Sequence, residues 1–479
     1  MGIVHAKKPN NPRGFGQLPK ETTANKYDDP SNEPFFKSKP HVHGKEKDVQ
    51  MHLIQARVDK IHVDGLGRTK DDIITSQVKD LFKARNFEDV IIYADKVKER
   101  LQELECFRNV RVFIDTSKGP DATPNGVEVT YTVREMKRLV GGISTMIGGN
   151  NEGSLVVNAK APNLLGRAER VQVEYSHGSK SSSNFNILAI KPFVQNLYNA
   201  VLTSKVFITA HDYPWSGFKQ NDTGLLFDLE LNQTITSKHN IQYEAAFRNI
   251  SCSKQAAFNV REQCGPNLKS ALRYIWTIDK RDVPVFPVSG SLMQLTTELA
   301  GLGGDIGFLK NELAVQTNWS PYKYLTFQLG LQAGLLSAIS NDMKMSIADH
   351  FFLGGPLNLR GFDIRGCGPR YDGNSVGGEM YWAAAFHAYT PLPFRPNDKN
   401  FKLHGFINGG NLSNFTFAYG NLYNQNMKIF TENVRCAVGG GIAVSLGSAR
   451  IELNLVSPLL FVRSDVLQQF QFGIGIQYL

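Results

Sequence analysis

Residues 470–479 read FQFGIGIQYL, and the folding of this decapeptide decides the class of the whole chain. Successive side chains of a strand point to opposite faces. Phe470, Phe472, Ile474, Ile476 and Tyr478 therefore fall on one face, and Gln471, Gly473, Gly475 and Gln477 on the other. Such a strand, with an aromatic near its end, can close a membrane barrel at the interfacial girdle or form the edge of a soluble sheet.

The same alternation runs back to about residue 139. Ile241, Tyr243, Ala245 and Phe247 oppose Gln242, Glu244 and Arg248. Leu325, Phe327, Leu329 and Leu331 oppose Thr326, Gln328, Gly330 and Gln332, and Ile451, Leu453 and Leu455 oppose Arg450, Glu452 and Asn454. A sandwich with its apolar face inward and a barrel with its apolar face outward fit this equally. Run length separates them: soluble strands have about 5 to 6 residues and tilted membrane strands about 9 to 11, and the runs at 239–248 and 324–333 are of the longer kind. No window offers the roughly 18 uninterrupted apolar residues of a membrane helix, so a barrel is the one structure left that could span a bilayer. About 340 residues, at roughly 20 per strand and connection, predict about 16 to 18 antiparallel strands.

Residues 56–135 follow a different rhythm. Ile61 and Val63 predict a short strand, and Thr69-Lys70-Asp71-Asp72 resembles a capping box opening a helix with Ile74, Val78 and Leu81 on its apolar face. Val90, Ala94, Val97, Leu101 and Leu104 form the stripe of a second helix. Then Val110, Val112 and Ile114 alternate, and after Asn125-Gly126 so do Val127, Val129, Tyr131 and Val133. The expected unit is strand, helix, helix, strand, strand, with one sheet edge open to a passing peptide.

Residues 1–50, rich in proline, lysine, asparagine and aspartate, are expected to be a disordered polar arm. The arm has no apolar run for a secretory signal, Glu21, Asp28, Asp29 and Glu33 argue against a cleaved transit peptide, and Ala6 stands where myristoylation wants Ser or Thr. His41 and His43 are read as solvated, and no metal site is expected. The net charge of +9, from 53 basic and 44 acidic residues, is too mild to point to nucleic acid. Cys106, Cys252, Cys264, Cys367 and Cys436 lack metal-ligand spacing and are read as reduced, apolar fillers. No GxSxG, HExxH, P-loop or GxGxxG occurs, so neither an enzyme nor a cofactor is expected.

A wide barrel needs something in its lumen, and 351–369 (FFLGGPLNLRGFDIRGCGP) is suited to fold inward: its glycines allow close packing and its apolar residues shield the loop. Arg360, taken out of water, needs a carboxylate. Glu379 in VGGEMYW, beside Gly377 and Gly378, is the nearest candidate, because Asp363 is too close in the loop to clamp it.

GLGRTKDDII followed by ECFRNVRVFID resembles a POTRA domain, and GGPLNLRGF, VGGEMYW and the glycine-rich final strand follow in order. Together they resemble the core barrel subunits of the mitochondrial sorting and assembly machinery, relatives of bacterial BamA. The resemblance implies a transmembrane antiparallel β-barrel of about 16 strands (137–479) after one α+β POTRA domain (51–136). It also implies that Leu359, Arg360, Gly361 and Phe362 form a lumenal clamp on inner-wall acidic groups, with Glu379 as partner. Asn408 stands where the wider superfamily often has Asp, which leaves more of the neutralisation to Glu379.

The implied function is insertion of β-barrel precursors into the mitochondrial outer membrane through a gate between the first and last strands. The first would be Val140, Gly141, Gly142, Ile143, Ser144, Thr145, Met146 and Ile147, and the last Gln471, Phe472, Gly473, Ile474, Gly475, Ile476, Gln477 and Tyr478. Their glycines leave few side chains to pack across the seam. Gln471, Gly473, Ile476 and Tyr478 also fit the family's client signal of polar, x, Gly, x, x, hydrophobic, x, hydrophobic. Implied partners are the lipid bilayer, barrel precursors, accessory subunits and other mitochondrial membrane-organising proteins, with the POTRA domain facing the intermembrane space. A polypeptide-conducting or passive pore is the alternative.

Overall fold

The computed structural model describes residues 3–7, 51–118, 120, 122–147, 152–180, 182–193, 200–234, 236–340, 343–394, 398, 400–414, 432–447 and 449–475. Two compact units emerge, one of residues up to Met136 with Leu165–Arg167, the other of Lys137–Leu164 and Ala168 onward.

The small unit contains β1 (Ile3–Lys7), β2 (Arg57–Asp64), α1 (Asp71–Val78), α2 (Phe87–Glu103), β3 (Phe107–Thr116) and β4 (Gly126–Glu135). Its sheet order is β1-β2-β4-β3. Val90, Ala94, Val97 and Leu101 bury one stripe of α2, and Asn86 caps it by accepting the Asp89 N–H at 2.7 Å. At α1 the capping-box expectation fails: Lys70 is the cap, without a side-chain bond, and the Thr69 hydroxyl donates instead to Glu135 at 2.6 Å. Glu135 also accepts the N–H groups of Gly67, Arg68 and Thr69. Burial alone would raise its pKa, but these hydrogen bonds prevail and hold it down at about 2. The arm expectation also needs correction, since Ile3–Lys7 pairs in parallel with β2 as a fourth strand. Residues 8–50, including His41 and His43, lie outside the described residues.

The larger unit begins with β5 (Val140–Ile147), β6 (Gly153–Pro162), β7 (Arg170–Gly178), β8 (Ser183–Phe193), β9 (Ala200–Tyr213), β10 (Phe218–Asn232) and β11 (Ser237–Cys252). After the short α3 (Phe258–Glu262) come β12 (Gly265–Asp279), β13 (Gly290–Ala300), β14 (Phe308–Tyr322) and β15 (Leu325–Ala338). The connection that follows carries a small hairpin of β16 (Arg370–Tyr371) and β17 (Asn374–Ser375). The wall resumes with β18 (Met380–Pro391), β19 (Phe401–Ser413), β20 (Arg435–Leu446), β21 (Ala449–Leu460) and β22 (Phe470–Gly475). Sixteen strands form one sheet from β5 to β22, with β15 joined directly to β18.

The direction of the faces separates barrel from sandwich. On β21, Leu453 and Leu455 are 44% and 68% exposed, whereas Glu452 and Asn454, which alternate with them, are fully buried. On β11, Ile241 and Tyr243 face out while Arg248 is buried. Apolar residues outward and polar residues inward is the arrangement of a strand wall bathed in lipid, and pairing between neighbouring strands satisfies the backbone where water is absent. Cys252 and Cys264 are joined in a disulfide, against the expectation of free thiols. The antiparallel pairing of Ile250 with Gly265 brings the ends of β11 and β12 together, a proximity that spacing alone does not reveal.

Candidate functional site

The connection from β15 to β18 folds onto the inner face of the wall. Phe351, Leu353, Leu359, Phe362 and Cys367 are buried against Ala383, Ala385, Phe406, Ala437 and Val456, so small wall residues make room for large loop residues. Gly361 sits at φ +94°, and a Cβ there would come within 3.0 Å of both Ala437 and Val456. Only glycine suits that position.

Arg360 is fully buried and lies side-on to Glu452 of β21, with Nε at 3.1 Å from Oε2 and Nη2 at 3.4 Å from Oε1. Its Nη1 is 3.3 Å from His387 Nε2, and its guanidinium carbon is 5.0 Å from the centre of the Phe406 ring. Glu452 pairs with Arg450 as well and accepts from Asn454 Nδ2 at 2.9 Å. Two guanidiniums and an amide donor surround the single Glu452 carboxylate and compensate a charge that would be costly if buried alone.

The expected partner, Glu379, is therefore corrected to Glu452. The level of the guanidinium on β18 is marked by His387, and Glu379 precedes it by eight residues, about 26 Å along an extended strand. Glu379 is partly buried at the rim, where its backbone bonds to Leu336 and Ser413. Asn408 does reach Arg360, but it donates from Nδ2 to the main-chain carbonyl at 3.3 Å and takes no part in balancing the guanidinium.

The loop and the last strand meet at one residue. Gln471 of β22, 1% exposed, accepts the Gly361 N–H at 3.0 Å and donates from Nε2 to the Phe362 carbonyl at 2.7 Å. Backbone bonds continue the attachment: Gln468 N–H to Gly361 O, Asp363 N–H to Val466 O, and Val466 N–H to Gly366 O. The Arg-Gly-Phe turn is thus fixed to β22 and to the chain leading into it.

A second anchor, absent from the sequence reading, holds the start of the loop. Asp349 receives Arg248 Nη1 at 2.9 Å and Lys269 Nζ at 3.3 Å, and Lys269 also meets Glu298 at 2.7 Å. These cations stand on β11 and β12, across the sheet from β21 and β22 in strand order. The alternation places all three wall residues on the polar face, but nothing in it pairs them with position 349.

Of the two strands at the ends of the sheet, β22 pairs with β21 from Phe470 to Gly475, and β5 pairs with β6. Among the described residues no pairing links β5 to β22. Residues 140–146, with Val140, Gly141, Gly142, Ile143, Ser144, Thr145 and Met146, are all exposed. Ile476, Gln477 and Tyr478 lie outside the described residues. Among those described, no cluster of His, Cys, Asp and Glu is arranged to hold a metal.

Residues 163–478 match the Omp85 superfamily domain. The chain is 38% identical over its full length to the full-length "Sorting and assembly machinery component 50 homolog" of Bos taurus, and 37% identical over the same span to that of Homo sapiens. The chain belongs to the SAM50 family of the Omp85 superfamily. A crystal structure of BamA from Haemophilus ducreyi lacking POTRA domains 1–3 is similar in fold, with a TM-score of 0.69 over 88% of this chain and 85% of that one at 16% identity. The family's fold is the transmembrane β-barrel, so the exposed leucines and aromatics of the strands are its lipid-facing surface and the Arg360 cluster lies in its lumen.

Proposed function

We propose that this SAM50 family member folds and inserts β-barrel precursor proteins into the mitochondrial outer membrane through a lateral gate between β5 and β22. The names of its relatives support the assembly role and the location. The observation that carries the gate is the pair of terminal strands, each with a described neighbour on one side only. An edge strand presents unpaired N–H and C=O groups, and a precursor strand can add to them without nucleotide or other cofactor.

The last strand is the element a precursor must imitate. Its Gln471, Gly473, Ile476 and Tyr478 carry the client pattern, and Gln471 holds the Arg-Gly-Phe backbone. A client strand with a polar residue in that place competes for β5 while the lumenal loop keeps the register. The small α+β domain, a POTRA domain by its strand and helix order, is taken to face the intermembrane space and to meet accessory subunits there. A passive or polypeptide-conducting pore fits less well, because Leu359, Phe362 and their neighbours occupy the inner face.

The test is a Ser144→Cys, Ile476→Cys pair. Oxidation should stop precursor assembly and reduction restore it, while each single variant assembles normally under both conditions. Assembly at the wild-type rate with the cross-link formed contradicts the gate. Planar-bilayer conductance measured alongside distinguishes a pore, which would conduct whatever the state of the seam.

A further inference from the structure

A second segment folds onto the inner face of the wall, from the rim opposite the one that admits the loop carrying Arg360. It is the connection of β12 to β13, residues 280–289, KRDVPVFPVS. Pro284 and Pro287 stiffen it, and the Asp282 carboxylate closes it by accepting the N–H groups of Val288 at 3.0 Å and Ser289 at 3.4 Å. Arg281 Nη1 donates to Pro284 O at 3.2 Å and to Gln316 of β14 at 3.4 Å, which fastens the segment to the wall. Phe286 is its tip. The backbone there has φ +54°, a region that residues with a side chain keep only where their surroundings hold them.

Those surroundings lie beyond β14 and β15. Phe286, 6% exposed, packs with Tyr389 of β18 and Ala443 of β20. Its ring centre is 6.0 Å from that of Tyr389, 5.0 Å from Lys402 Nζ on β19 and 5.3 Å from the Arg450 guanidinium carbon on β21. Because β14 and β15 separate β13 from β18 in the sheet, the segment reaches these residues by crossing the inner face. Arg450 is where it meets the clamp. That guanidinium donates from Nη2 to the Tyr389 hydroxyl at 2.6 Å, lies 4.9 Å from the Tyr389 ring centre, and pairs with Glu452, the carboxylate that also receives Arg360. A cation gains most from an aromatic face where water is kept away. Tyr389 is part of the wall; Phe286 is the ring brought to it from elsewhere.

We propose that Phe286 is a positioning residue of the lumenal clamp: it holds Arg450 on Glu452, so that the 280–289 segment, seated at one mouth of the lumen, sets how firmly the Arg-Gly-Phe turn is gripped from the other. The contacts run from Phe286 to Arg450, Glu452 and Arg360. With Phe286 gone, Arg450 opens to the water of the rim and is free to turn from Glu452, and the grip on Arg360 loosens without any change in the loop itself.

The experiment is hydrogen exchange of the full chain in lipid nanodiscs, read at the Gly361 and Asp363 amides, which the turn gives to Gln471 and to Val466. Phe286→Leu keeps an apolar side chain and loses the ring, and it should speed exchange there by up to about fivefold, the worth of one cation–π contact. Phe286→Tyr should exchange at the wild-type rate, and the amides of β10 should keep theirs in every variant and report an intact wall. In an Arg450→Met chain, Phe286→Leu should add nothing. Wild-type exchange in Phe286→Leu overturns the proposal, as does equal acceleration in Phe286→Tyr. Acceleration by Phe286→Leu that persists in the Arg450→Met chain overturns it too, because the segment would then act on the turn by packing alone. None of these readouts depends on precursor assembly, so the result stands apart from the fate of the gate.

Discussion

The lumenal loop is fastened to two halves of the wall by the same type of bond with different neighbours. At its start, Asp349 is received by Arg248 and Lys269 on β11 and β12, deep within a continuous run of paired strands. At its turn, Arg360 is received by Glu452 on β21, and the next two residues are held by Gln471 on β22, the end of the sheet. The first anchor ties the loop to a part of the wall that has no edge. The second ties it to the strand that the proposed gate must release. Equal chemistry at the two places should therefore have unequal consequences for assembly.

The largest effect is expected from Arg360→Ala. Breaking a buried ion pair costs about 3–5 kcal/mol where the remaining charge is left uncompensated, and the loss is read here as a lower unfolding midpoint in detergent and loss of precursor assembly. Arg450 still faces Glu452, so the loss should fall near the lower end of that range. Asp349→Asn should destabilise by about 2–3 kcal/mol through its charge-assisted hydrogen bonds. It should leave cross-linking across the seam unchanged, and that outcome sharpens the contrast between the anchors. Gln471→Glu keeps the acceptor for the Gly361 N–H but loses the donor to Phe362 O, at a cost of about 1–3 kcal/mol. That variant should alter client register at the seam more than global stability, measured by the spread of cross-link positions along β5. Glu379→Gln should be the mildest, within about 1 kcal/mol; an effect as large as that of Arg360→Ala would break the assignment of Glu452.

The wall was legible because the pleat has a period of two. Leu453 and Leu455 alternate with Glu452 and Asn454, and the structure sends the first pair outward and the second inward. Run length then told a lipid-facing wall from a sandwich. Arg360 stood out as a charge among glycines and leucines. Its partner did not, because Glu452 lies 92 positions away and reaches it only through the register of β18 to β21. Glu379 was favoured by nearness in the chain, and distance along a strand defeats nearness. Cys252 with Cys264, Asp349 with Arg248, and Ile3–Lys7 with β2 share that cause: each is a pairing made by tertiary register, for which no local pattern exists.

The central claim, that the lumenal loop governs the last strand through Arg360 and Gln471, is most directly tested by hydrogen exchange of Phe470–Gly475 in lipid nanodiscs. Exchange there should rise in Arg360→Ala and in Gln471→Glu and stay at the wild-type rate in Asp349→Asn. Equal acceleration in all three, or none in the first two, would contradict it.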